Sequence, residues 1–406
     1  MKLYMLINPE AGKLARRLKV SIIGGGIGGL ATAIALLKKG FNVQVYERAK
    51  ALRPIGAGLT LTPNGLNSLD AIQPGIVELL KQAGSQLNTL TLKRSTGETI
   101  ASKPMTVMQD YGQPLLSIQW SRLQAILAAA LPSDIIHLNH RCVGFGQQNG
   151  GVKACFENRK VIESDLLIGA DGINSIIRQE LIGDGTPIYA GRISWRAVVQ
   201  YQHELLSPNA STLITAQEGK NFLLLDAGEG YTFWSASALS TDNSICQQAA
   251  DTKTRVLETF AEWMEPVEAI VEDTPADDIV ERPICDRHPL PTWSKGRVTL
   301  LGDAAHPVVP SLGQGANTAF EDAYELAECL ADALDLKTAL EAYEHRRIPR
   351  TTEIYIRSAM QGDRSYKPDS ETTFREMMKP SQMGQNEFQE WLYRYHPFAS
   401  SEMIGC

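Results

Sequence analysis

Three glycine-punctuated segments carry the residue types that could do chemistry. The first is Gly24-x-Gly26-x-x-Gly29. It lies between a strand-like run, residues 19–23, and apolar residues at helical spacing that end at Gly40. Gly24 permits a tight turn, Gly26 lets the backbone approach a pyrophosphate, and Gly29 lets the helix pack closely on the strand. The helix N-terminus then offers free N–H groups and partial positive charge to phosphates. Glu47 ends the next strand, residues 42–46, 18 residues after Gly29. Its carboxylate can accept hydrogen bonds from a ribose hydroxyl and would repel a 2′-phosphate, which argues against NADP here. The pattern calls for a dinucleotide and does not separate FAD from NAD.

Two further segments decide for flavin. Residues 166–178 place Asp171-Gly172 after a strand, with Arg178 six residues past Gly172. Residues 298–317 place Gly302-Asp303 after another, followed by Val308, Val309, Pro310, Leu312, Gly313 and Gly315. An Asp at the C-terminal end of a strand can accept hydrogen bonds from the ribityl chain of FAD. Gly313 and Gly315 let backbone amides approach a flat ring. A long helix starting near Ala316 aims its positive end at that ring. The amides of Gly315, Ala316 and Asn317 would stabilise the anion of reduced flavin as an oxyanion hole does, and one such donor is typically worth about 3–4 kcal/mol. On this reading Val308, Val309 and Leu312 exclude water.

Other chemistries find little support. His137 and His140 lack a third ligand nearby, and Ser207 stands where a zinc-protease motif opening at His203-Glu204 needs its second His. We expect no metal site. There is no Gly-x-Ser-x-Gly. His306, inside the third segment, is a candidate proton-handling group or a structural one. Arg196 is a candidate to bind an anionic substrate group, or a partner in a surface ion pair. Tyr231, Phe233 and Trp234 are candidates to line a substrate cavity, though alternation does not say which of them do.

The elements that must position these residues follow from length and pattern. The 406 residues suffice for two or three domain-sized units, and the 43% hydrophobic and 21% charged content is ordinary for a globular protein. A net charge of −7 without a basic tract argues against a nucleic-acid partner. No apolar run reaches the roughly 18 residues of a membrane span. Residues 3–7 are too short for a secretory signal and read as the start of a poorly ordered extension. Six scattered cysteines, including Cys246 and Cys406, read as reduced thiols in a cytoplasmic protein. The fold expected is α/β: a Rossmann-like, discontinuous FAD-binding domain (19–74, 118–190 and 281–360). Into it is inserted a mostly antiparallel sheet domain for the substrate (75–117 and 191–280), and a C-terminal helical segment follows (361–406). Residues 89–102 and 142–162 read as hairpins, and 316–334 as a helix.

Together the three segments resemble the single-component FAD-dependent aromatic hydroxylases typified by para-hydroxybenzoate hydroxylase. Residues 19–360 are nearest to members similar to salicylate hydroxylase, urate hydroxylase and zeaxanthin epoxidase. Stretches 56–69, 121–127 and 194–199 also look like family stretches, and 343–350 looks like the family's C-terminal helix, read here as packing. The resemblance implies that Arg122 contacts FAD, with Arg48 near the adenosine ribose. It implies that Asp171 lies near the pyrophosphate and Asp303 on the ribityl chain. Asp171 as a helix cap is the alternative. It further implies that Pro310 lies beside the ring's reactive carbon. NADPH or NADH then serves as a transient co-substrate. The activity implied is hydroxylation or epoxidation of an aromatic or electron-rich small molecule with O2, through a flavin C4a-hydroperoxide. A flavin oxidase or dehydrogenase without oxygen insertion is the alternative. A monomer or homodimer is expected.

Overall fold

Residues 19–23 form a strand buried along four of its five positions, a pattern that suits the middle of a parallel sheet covered on both faces. The computed structural model describes residues 18–52, 57–148, 150–216, 219–241, 251–362 and 381–397. The sheet runs Val298–Leu300, Leu166–Gly169, Lys19–Ile23, Asn42–Tyr46, Ile136–His137, with every pairing parallel. Its first three strands lead into Gly302-Asp303, Asp171-Gly172 and Gly24, so segments remote in the chain end side by side. Two helices pack against this layer, Ile27–Lys38 and Gly315–Asp332. They approach so closely that a Cβ on Gly28 would lie 3.2 Å from the Ala319 methyl.

The second large element is a seven-stranded sheet in the order Val280–Asp286, Ile188–Gln200, Tyr231–Leu239, Asn221–Asp226, Ala210–Thr215, Thr89–Arg94, Thr99–Pro104. It is antiparallel apart from the parallel pairing of residues 210–215 with 89–94. Strict alternation splits its residues. Trp195, Phe222 and Trp234 face a core closed by Val256, Phe260, Val267 and Ile270 from the helices Thr252–Thr259 and Val267–Asp273 and the residue after the first. The alternate residues, among them Arg196, Phe233 and Ser235, face a cavity.

The sheet straddles the boundaries read from sequence. Strand 188–200 starts before residue 191, and strand 280–286 extends past residue 280. Ile76, Val77 and Leu80, expected with the inserted sheet, pack instead into the core of the parallel layer. Both expected hairpins form. The helix Leu336–Gly362 carries the 343–350 stretch, and Gln385–Tyr393 forms a helix within the C-terminal segment. The N-terminal extension, Gly56, Cys246, Cys406, and residues 363–380 and 398–406 of the C-terminal segment lie outside the described residues. No helix among the described residues is long and apolar enough to cross a membrane.

Candidate active site

Two cavities, of about 780 and about 1000 Å³, open along the C-terminal edge of the parallel sheet, and Asn174 lines both. Together they make one elongated cleft.

Gly24, Gly26, Glu47, Arg48 and Asp171 line the smaller cavity. Gly24 has φ +114°, and a Cβ there would lie 2.2 Å from the Ala170 carbonyl oxygen. A Cβ on Gly29 would lie 2.1 Å from the Gly24 carbonyl oxygen, so this residue is the close-packing glycine. A Cβ on Gly26 would meet nothing within 4 Å. That open side is where a pyrophosphate can approach the first turn of the helix, whose earliest backbone bond is Leu30 N to Gly26 O at 2.9 Å. Glu47 accepts from Gly25 N and Ala49 N, both at 2.8 Å. Each oxygen keeps a lone pair for a ribose hydroxyl.

Asp171 accepts from Ile176 N at 2.8 Å and from the hydroxyl of Ser175, the N-cap of the helix Ile176–Leu181, so it supports the start of that helix while lining the cavity. Burial pushes its carboxyl above the ordinary value, and these hydrogen bonds only partly offset that. Fully buried Arg178 joins this segment to the third one. It pairs with Asp184 at 2.6 Å and donates to Ala305 O at 2.8 Å.

Arg122 lines neither cavity. It donates to Ala83 O at 3.1 Å, pairs with Glu229 at 2.5 Å and lies 5.2 Å from the centre of the Tyr231 ring. Helix phase is the reason. On Trp120–Ala129 the cavity-lining residues are Trp120 and Gln124, one turn apart, and Arg122 sits about 200° round from Trp120. Gln124 donates to Gly25 O at 2.8 Å. The i, i+4 relation of Trp120 and Gln124 was legible once the helix was placed.

Asp303, Val308, Val309, Pro310, Gly313, Gly315 and Ala316 line the larger cavity together with the sheet face. Asp303 projects into it and makes no hydrogen bond to the described residues. The residue keeps open surface on the cavity side, but the atoms packed around its carboxyl desolvate it and push it above the ordinary value, and His306 offsets this only in part. A Cβ on Gly315 would lie 3.7 Å from Asp303 Oδ1, so carboxylate and helix start are neighbours. The amides of Gly315, Ala316 and Asn317 have no acceptor among the described residues. Asn317 itself is buried, its side chain bonded to Thr62 N and to Gly313 O. Leu312 does not line the cavity. It packs toward Ile354, Phe388 and Leu392.

His306 is turned away from the cavity. Its Nε2 lies 2.5 Å from Asp322 Oδ2, and its ring packs on Trp293 with centroids 5.2 Å apart. The short turn Gly302–Ala304 directs it back toward the 315–332 helix, so it is a structural residue. Burial raises the Asp322 carboxyl, but His306 and Arg347 outweigh that and hold it at about 2.

Arg196 lines the larger cavity from strand 188–200. Its Nε donates to Ser194 Oγ at 2.9 Å, and no carboxylate among the described residues pairs with it. Burial lowers its pKa from the ordinary value. Arg192 and Arg282 line the same cavity and were missed in the sequence; alternation puts Arg192 on the face of Arg196, four residues on in the same strand, whereas only the pairing of the two strands shows which face Arg282 takes. Phe233 lines it as well. Trp234 faces the opposite core, and Tyr231 lies under Arg122.

The cleft fits an extended dinucleotide. Its smaller arm offers an open glycine turn and a ribose acceptor, and its larger arm offers an unpartnered carboxylate beside unpartnered amides. Residues 17–358 match the FAD binding domain family. The aurachin C monooxygenase/isomerase of Stigmatella aurantiaca is 33% identical over 337 residues, 83% of this chain and 86% of that protein. The 3-hydroxybenzoate 6-hydroxylase 1 of Aquipseudomonas alcaligenes is 33% identical over 359 residues, 86% of this chain and 89% of that protein. Klebsiella pneumoniae HpxO, solved with FAD and uric acid, shares the fold with a TM-score of 0.79 at 23% identity, over 96% of each chain.

Proposed function

The chain belongs to the FAD binding domain family, as an NAD(P)H-dependent flavoprotein monooxygenase, and from that premise we propose that its substrate is an anionic aromatic or similarly electron-rich small molecule held by Arg196. The observation that carries this reading is a guanidinium on the cavity face of the large sheet with no acid among the described residues to pair with. A charge in such surroundings is costly unless a counter-ion arrives, and a bidentate oxyanion suits the guanidinium fork. The name of the Aquipseudomonas relative, a hydroxybenzoate hydroxylase, is of that kind.

When bound, FAD supplies what side chains lack, uptake of electrons from NAD(P)H and activation of O2 for transfer of one oxygen atom. The protein's part is position, charge and dryness. The open turn at Gly26 and the first-turn amides after it would receive the pyrophosphate. Glu47 would take the adenosine ribose, with Arg48 nearby, and Asp303 the ribityl hydroxyls. Amides of Gly315, Ala316 and Asn317 would meet the ring edge that becomes anionic on reduction, where preorganised donors need no rearrangement. Pro310, Val308 and Val309 line the cavity; Pro310 would stand beside the ring, and the two valines would keep water from it. Asp171 reaches the pyrophosphate region while holding its helix.

The test is a screen of aromatic acids against their neutral amides, following NAD(P)H consumption, peroxide and product mass. Acids should stimulate consumption more than amides and give products heavier by one oxygen. Equal stimulation by the amides would overturn the anionic assignment.

A further inference from the structure

The 343–350 stretch, read from sequence as packing, supplies a buried group that reaches the flavin loop through a continuous chain of hydrogen bonds. Arg350 binds Glu321 with Nε to Oε2 at 2.6 Å and Nη2 to Oε1 at 2.9 Å. Asn64 donates from Nδ2 to Glu321 Oε1 at 2.7 Å and to Gln314 Oε1 at 3.0 Å. Gln314 donates to Thr62 Oγ1 at 3.2 Å, and Thr62 donates from its hydroxyl to Asn64 Oδ1 at 2.6 Å and from its amide to Asn317 Oδ1 at 3.0 Å. All six side chains are buried, Arg350 least so at 8% exposure. Gly65 permits the approach, since a Cβ there would lie 2.1 Å from Asn317 Oδ1.

The chain ends on the residues that bracket the unpartnered amides. Gln314 precedes Gly315 at the start of the helix, and Asn317 is the third of the three amides. At its other end Arg350 donates to Trp391 O at 3.3 Å and Leu392 O at 3.0 Å, the last turn of the 385–393 helix, and lies 4.3 Å from the Trp391 ring centre. Glu321 is charged although fully buried, because Arg350 and Arg347 outweigh the burial that would otherwise raise its carboxyl.

Ordinary helix packing needs none of this polarity. Buried polar networks contribute little net stability compared with apolar packing of the same volume, but they specify one geometry. An amide cradle works only if its donors are set within a fraction of an ångström of the developing charge.

We propose that Arg350 and Asn64 are positioning residues for the flavin, acting through Glu321, Gln314 and Thr62 to set the first turn of the 315–332 helix and to tie that setting to the docked C-terminal helix. The proposal rests on the reading of the 315–317 amides as the cradle of the ring.

The test measures the reduction potential and visible spectrum of bound FAD in holoenzyme variants. Asn64→Leu and Arg350→Lys, the latter keeping the charge but losing the fork, should each make the potential more negative and shift the flavin bands. Arg346→Gln breaks a neighbouring pair to Glu325 between the same two long helices, off this chain, and should leave both readouts unmoved. Ala316→Pro removes one cradle amide at a helix position that accepts proline, and should also lower the potential. Should Arg350→Lys fail to fold, Gln314→Leu, which leaves both ion pairs intact, takes its place. If Ala316→Pro moves the potential while Asn64→Leu and Arg350→Lys match Arg346→Gln, the cradle stands and the positioning chain is wrong. If Ala316→Pro leaves it unmoved, the cradle reading fails and the proposal with it.

Discussion

Asp171 and Asp303 follow neighbouring parallel strands, and the protein treats them in opposite ways. Asp171 is occupied by its own helix, two backbone amides and a serine hydroxyl. Asp303 has no hydrogen-bond partner among the described residues and stands open to the larger cavity. The same division runs through the cleft. At the adenosine end Glu47 is held by two amides, whereas at the flavin end the 315–317 amides and the Arg196 guanidinium find no acceptor or counter-ion among the described residues. One end is built by the protein on itself. The other is completed by what binds there.

The comparison is most exposed to Asp303→Ala. A hydrogen bond to a charged group is worth about 1.5–3 kcal/mol, so loss of two ribityl contacts should weaken FAD by roughly a hundredfold or more. Titration of apoprotein with FAD should show this with an unchanged far-ultraviolet spectrum, and stoichiometric flavin retained through dialysis would break the contrast. Arg196→Met should raise KM for an acidic substrate about tenfold or more, with bound flavin and its spectrum unaltered. A fall in flavin content instead would move Arg196 from the substrate to the cofactor.

Asp171→Ala should act mainly on folding. It removes the acceptor for two first-turn amides and for the hydroxyl of the N-cap Ser175, a loss on the scale of a helix cap, about 0.5–2 kcal/mol, and should lower the Tm of the apoprotein as well as the holoprotein. Glu47→Ala should weaken FAD more modestly than Asp303→Ala, since its oxygens already serve Gly25 and Ala49. A larger loss of FAD from either variant than from Asp303→Ala would reverse the comparison.

The smallest effect sharpens it by pH. The Asp303 carboxyl in the folded apoprotein lies above its ordinary 3.8, so the folded state binds that proton more tightly than the unfolded chain. Its contribution to stability is present at low pH and lost as pH rises through the raised value. Apoprotein with Asp303→Asn should therefore be more stable than the unaltered chain near neutrality, and the difference should vanish below about pH 4. Asp322, held at about 2, has the opposite sign: its contribution is present above 3.8 and lost as pH falls toward that value. Thermal unfolding across that range reads both.

Much of the site was legible because its parts obey local rules. Gly24, Gly26 and Gly29 sit where a strand-turn-helix demands them, and Asp171 and Asp303 sit at strand ends, positions that hydrophobic pattern alone locates. Three side chains show what local pattern leaves open. Arg122, for which the family resemblance implied a contact with FAD, lines neither cavity, whereas Gln124 of the same helix lines the smaller one. His306 was open between proton handling and a structural place, and a buried aspartate of the next helix takes its Nε2. Leu312 was expected on the cavity wall and packs against the C-terminal helix instead. Glu229 and Phe388, against which Arg122 and Leu312 settle, are distant in the chain, and even Asp322 lies 16 residues from His306, beyond the reach of a local pattern.

The amino-acid order by itself determined the βαβ start, the glycine turns, the acids at strand ends and the alternation of the large sheet, because each depends on backbone conformation or periodicity over a few residues. Only the tertiary structure decided which strand is whose neighbour, which face of the large sheet looks at the cleft, and which polar groups are satisfied from within. Those outcomes depend on pairing and desolvation between segments tens to hundreds of residues apart, and no local pattern records them. The linkage of Arg350 to the flavin loop is of this second kind, since its path crosses four separate stretches of chain.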